Sequence, residues 1–78
     1  MSIEPTKTID VRGEVCPVPD VDTKRALKKM NSGEVLEVLI DYAMSKERIP
    51  ASVEKNGHEV LAIEDAGPSE WRIFIKVK

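Results

Sequence analysis

EVLEVLID, residues 34–41, reads in two directions at once. Leu36, Val38 and Ile40 fall on one side of an extended chain, while Val35 and Leu39 share the other side with Glu37. A strand with apolar residues on both faces is covered on more than one side, so this segment belongs inside a sheet rather than at its edge. What flanks it then sets the architecture. Upstream, PVPDVDTKRALKKMN (residues 17–31) carries Thr23, Ala26, Leu27 and Met30 at helical spacing. Pro17 and Pro19 fit only in the first turn, where a missing N–H costs nothing. Asp20 and Asp22 near the start and Lys28 and Lys29 near the end match the helix dipole, and Asn31-Ser32-Gly33 ends the helix. Downstream, AMSKERIPASVEKN (residues 43–56) is a second helix with a flaw. Ser45 is its candidate N-cap, with Glu47 behind it. Pro50 then removes a hydrogen bond about one turn in, which predicts a late or kinked start. Asn56-Gly57 closes the helix.

Three further strands complete the chain. KTIDVR (7–12) alternates, with Ile9 and Val11 on one face, and Gly13 ends it. HEVLAIE (58–64) sets Leu61 and Ile63 on one face against Val60 and Ala62 on the other. Residues 65–69 form a turn cluster, and WRIFIKVK (71–78) points Trp71, Ile73, Ile75 and Val77 inward, with Phe74 on the outer side as a possible contact patch. The order is β-α-β-α-β-β. The fold class expected is α+β: a two-layer sandwich with a four-stranded mixed sheet and both helices on one face. Strands joined through helices are expected to run parallel, and the last two are spaced for a hairpin. The pattern leaves strand order open. Residues 1–78 are expected to form a single domain behind a polar lead-in at residues 1–6.

Composition narrows the function classes. Twelve Lys/Arg against fourteen Asp/Glu give a net charge of −2, which argues against a dedicated nucleic-acid binder. The N-terminal MSIEPTKTID lacks the apolar core of a signal peptide, and no run approaches the roughly 18 apolar residues of a membrane span. One cysteine and one histidine fall short of the about four ligands of a structural zinc site, so neither a metal nor a cofactor is implied. A lone cysteine also fits the cytoplasm better than a secreted setting, where a domain this small usually carries disulfides.

That cysteine, Cys16, stands between a strand and a helix start. Free N–H groups and the partial positive charge at a helix N-terminus favour thiolate over thiol. A thiol of ordinary pKa near 8.5 is only about 3% thiolate at pH 7, so a modest lowering raises its reactivity roughly tenfold. Pro17 and Pro19 stiffen the loop. From placement alone, the equally weighted alternative is a small buried hydrophobe.

The run RGEVCPVP (12–19), the Lys/Arg-rich helix after it and IPASVEKNGHEVL (49–61) resemble the TusA family of small sulfur carriers, also called SirA-like. The elements carrying the resemblance are Asp10-Val11-Arg12-Gly13, Cys16-Pro17-Val18-Pro19, Ile49-Pro50 and Gly57-His58. They occur in order and span about residues 7–78. The chain differs from the family's usual pattern at Val18, Asp20 and Tyr42. The resemblance implies the sandwich just described. It also implies that Cys16 accepts a sulfane sulfur as a persulfide from a cysteine desulfurase or rhodanese-like donor. Cys16 then passes that sulfur to a downstream acceptor, making the protein a carrier more than a stand-alone enzyme. Gly13, Pro17 and Pro19 shape the loop. Two readings of another class stay open: a non-catalytic interaction or regulatory module of the same fold, and redox signalling through an intermolecular Cys16 disulfide.

Two other groups are candidates. Lys24, Arg25 and Lys28, with Lys29, form a basic cluster that is either a solvated face or a steering surface for an acidic partner. His58 is either a general base for Cys16 or, more in keeping with its position after Gly57, a packed structural residue.

Overall fold

The computed structural model describes residues 4–14 and 18–78. The elements are β1 (Lys7–Asp10), α1 (Val18–Lys28), β2 (Val35–Ile40), α2 (Ala43–Lys55), β3 (Glu59–Gly67) and β4 (Glu70–Lys76). They build a four-stranded sheet in the order β1-β2-β4-β3. The order left open by the sequence pattern is thus settled by inserting β4 between β2 and β3. β1 and β2 pair in parallel. β4 is antiparallel to both β2 and β3, so β2 and β3 point the same way without touching.

The two-faced segment is central, as its pattern requires. Leu36, Val38 and Ile40 are buried against the helices, and Val35, Glu37 and Leu39 are half-buried on the other face. Ile73 and Ile75 of β4 stand opposite Val38 and Leu36. With Ala26, Leu27, Ile49 and Val53 they form the core between sheet and helices. Thr23 is fully buried there too, and its hydroxyl donates to the Pro19 carbonyl at 2.7 Å, one turn back. A polar group buried with its bond made costs little.

Five local expectations are corrected. Ser45 does not cap α2. The N-cap is Tyr42, extended and without a side-chain bond, while Ser45 is buried within the first turn and its N–H donates to the Tyr42 carbonyl at 3.0 Å. Pro50 neither delays nor divides the helix, which runs from Ala43 to Lys55 through it. Burying Ile49 and Val53 completely gives about 1.5–3 kcal/mol each, enough to offset a proline cost of about 3. In β3 the expected alternation breaks at a bulge between Val60 and Ala62. Val60 lies opposite Ile75 and Ile63 opposite Ile73, so Val60 and Ile63 share the helix side. Ala62, opposite Phe74, faces away, and Leu61 is the extra residue. The strand also runs on to Gly67, confining the turn to Pro68 and Ser69. Finally, Phe74 does lie on the face away from the helices, but at 3% exposure it offers no contact patch.

α2 ends as its Asn-Gly pair predicts. Asn56 is the C-cap, Gly57 takes φ +95°, the Gly57 N–H donates to Glu54 and the His58 N–H to Val53, both at 3.0 Å. This is the Schellman pattern, which satisfies carbonyls the helix would otherwise leave open. No described helix is long and apolar enough to cross a membrane.

Candidate functional site

Parallel β1 and β2, each followed by a helix that returns across the sheet, bring the starts of α1 and α2 to the same end of the molecule. The loop from β1 to α1 lies at that end. Cys16 and Pro17, with Val15, fall outside the described residues; the loop's two flanks do not.

The upstream flank is a knot of charged groups. The Arg12 N–H donates to Asp10 Oδ1 at 3.0 Å, and the Arg12 side chain donates to both Asp10 oxygens, Nε to Oδ1 at 2.9 Å and Nη2 to Oδ2 at 2.8 Å. Nη1 reaches Glu70 Oε1 at the start of β4, 3.2 Å away. Arg12 is exposed, yet it ties the end of β1 to β4. The Arg12 side chain, then its backbone N–H, holds the Asp10 carboxyl down at about 2, and the two carboxylates push the guanidinium's own pKa upward. Next comes the turn. The Glu14 N–H donates to the Val11 carbonyl at 3.2 Å, and Gly13 sits at φ +87°, a left-handed conformation that penalises any residue with a Cβ. The Gly13 N–H donates to both oxygens of Asp41, each at 3.0 Å. Asp41 directly follows β2, so the central strand holds the loop by a charge-assisted bond.

The downstream flank is the first turn of α1. Pro19 is buried in it, while Val18 and Val21 stand 38% and 43% exposed, and Met44 at the start of α2 is exposed at the same end. The basic cluster is divided. Lys24 and Lys28 line a cavity of about 280 Å³ with Leu27, Asn56 and His58; Arg25 is exposed and lines no described cavity. Lys24 also lies 3.8 Å from Asp20. His58 shares that cavity with Lys28 in the last turn of α1, about 15 Å along the helix from Val18. Its Nδ1 accepts the Lys78 N–H at 3.2 Å. This supports the structural reading of His58 over the catalytic one.

Sequence reading missed Asp41 and Glu70 as loop anchors. Asp41 carried a weak signal, a carboxylate just past a central strand. Glu70 carried none, because only the strand order brings β4 to Arg12.

Residues 7–77 match the family model "Sulfurtransferase TusA". The chain belongs to the TusA family. It is 75% identical over 73 residues to a protein of Thermotoga maritima, covering 94% of this chain and 92% of that one. It is 49% identical over 76 residues to one of Archaeoglobus fulgidus, covering 97% and 86%. Both bear the name "Putative sulfur carrier protein", and so does YedF of Escherichia coli, 38% identical over 68 residues, covering 87% and 88%. The crystal structure of a SirA-like protein from Desulfitobacterium hafniense superposes with a TM-score of 0.81 at 28% identity, covering 91% of this chain and 96% of that one. This TusA-family chain shares the fold of that structure, and its Cys-Pro-Val-Pro run, residues 16–19, ends in the first turn of α1.

Proposed function

We propose that this protein is a sulfur carrier whose working group is the Cys16 thiol. The reading rests on one observation above the others: the family match spans nearly the whole chain and includes the Cys-Pro-Val-Pro run, in a sequence with no second cysteine to pair with. The Cys16 thiolate attacks the outer sulfur of a donor persulfide. A new S–S bond forms at Cys16, the donor's S–S bond breaks, and the donor leaves as a thiolate. The reverse logic at an acceptor thiol discharges the sulfur. No net oxidant is needed, because the sulfane sulfur carries its oxidation state with it. The start of α1 favours the anionic form of both thiol and persulfide. The Arg12–Asp10–Glu70 contacts and the Asp41–Gly13 bond hold the loop's upstream end, and Pro19, buried in α1, holds its downstream end. A cysteine desulfurase or rhodanese-like protein serves as donor, in the reducing cytoplasm where a lone thiol persists.

The test is label transfer. With a cysteine desulfurase and radiolabelled cysteine, label is expected on the wild-type chain and absent from Cys16→Ser of unchanged fold. Equal labelling of the two would defeat the proposal.

A further inference from the structure

The helical layer carries a groove that the carrier chemistry leaves unused. Two cavities share Lys24: the one of about 280 Å³ described above, and a second of about 360 Å³ lined by Asp20, Lys24, Arg48, Ala51, Ser52 and Lys55. On α1 the lining residues fall at positions 20, 24, 27 and 28, and on α2 at 48, 51, 52 and 55, with Asn56 just past its end. They recur three or four apart, so each helix turns one face to the two cavities, which adjoin at Lys24 as one channel between the helices. Ala51 and Ser52 are too small to roof it. Four cations line the channel (Lys24, Lys28, Arg48 and Lys55) against one carboxylate, Asp20. Among the described residues only Lys24 of the four makes an ion pair. The charge is also segregated on a larger scale. The two helices hold six Lys/Arg against four Asp/Glu, while the rest of this acidic chain holds six against ten. Complementing the helix dipole accounts for Lys28 and Lys55 in the last turns, but that effect fades within a turn and does not reach Lys24 or Arg48.

We infer that this channel receives a short acidic peptide segment of a sulfur-exchange partner. The inference rests on the carrier reading and names the kind of surface the partner must present. From Asp20 to Lys28 the channel runs about 12 Å, the length of about four extended residues. A peptide fits better than a free oxyanion because Asp20 closes one end: it repels an anion but accepts a main-chain N–H. Asp20 lies in the first turn of α1, so an occupant seated here also holds its parent protein over the Cys16 loop.

Two measurements test this. The first follows backbone amide shifts at low salt as an acetylated tetraglutamate peptide is added, with tetralysine and inorganic phosphate in parallel. Saturable shifts centred on Lys24, Ser52 and Lys55, produced by tetraglutamate only and abolished in the Arg48→Gln/Lys55→Gln double variant, support the channel. Shifts elsewhere, shifts retained in the double variant, or the same saturable shifts with phosphate overturn it. The second is loading of Cys16 by a cysteine desulfurase. The double variant is expected to load about tenfold more slowly at low salt, with the difference shrinking as salt rises, while iodoacetamide alkylates Cys16 at an unchanged rate. Equal loading of variant and wild type would contradict the inference. Failure of the wild type to load at all would instead strike the carrier reading, and the peptide titration would still decide the channel.

Discussion

At the scale of single residues, the loop that carries Cys16 is held by carboxylates. Asp10 is held at about 2 against an ordinary 3.8 by hydrogen bonds from Arg12. A depressed carboxyl favours the folded state above its unfolded pKa and loses that contribution as pH falls through the folded value. The Asp10–Arg12 pair is therefore intact from neutral pH down to about 3.8 and dissolves as pH falls toward 2. A carboxyl carbon titration should place the Asp10 midpoint near 2 and return it toward 3.8 in Arg12→Gln; an unmoved midpoint would contradict the assignment. Removing a charged acceptor from the Gly13 N–H should cost about 1–2 kcal/mol at this exposed site. Asp41→Ala is thus expected to speed hydrogen exchange at the Gly13 amide, with Asn, which keeps one acceptor oxygen, falling between. Exchange unchanged in the alanine variant would show that the loop does not depend on Asp41. Gly13 and Pro19 could be read from the sequence because a turn and a helix start are local, whereas Arg12 read only as a surface residue. Asp41 and Glu70 could not, since each meets the loop only after β2 and β4 take their places in the sheet.

At the scale of elements, pattern reading worked where one period holds throughout and failed where a residue interrupts it. β2 and α1 keep strict periods, and their buried faces are those the spacing predicts. The end of α2 also follows the pattern, yet a proline rule alone predicted a late or kinked start. That rule weighs the local hydrogen bond and not the burial of Ile49 and Val53 on either side. In β3 a single bulged residue reverses the phase, because sheet side chains alternate with a period of two. The bulge makes a sharp prediction. Deleting Leu61 should leave Ala62 opposite Phe74 and Ile63 opposite Ile73 and join them to Val60 in a regular ladder. The deletion variant is expected to fold cooperatively with Ile63–Ile73 contacts retained in a nuclear Overhauser spectrum. Loss of those contacts would show that the bulge is required to set the register.

At the scale of the whole molecule, the parts divide by task. The sheet and helices enclose an apolar core, the shared end of β1 and β2 holds the loop, and cations gather between the helices while the remainder is acidic. The α+β class followed from element order, whereas β4 enters between β2 and β3 for reasons no local pattern encodes: the last strand must cover apolar positions of both. The loop's anchors at this end and the channel at Lys24 meet at the first turn of α1, next to Cys16 in sequence. The central claim is that Cys16 carries one sulfur atom. Intact-mass measurement after incubation with a cysteine desulfurase and free cysteine tests it most directly. The account predicts a gain of one sulfur atom, mapped to Cys16, reversed by reductant and absent from Cys16→Ser. No gain, alongside full loading of an established carrier under the same conditions, would contradict it.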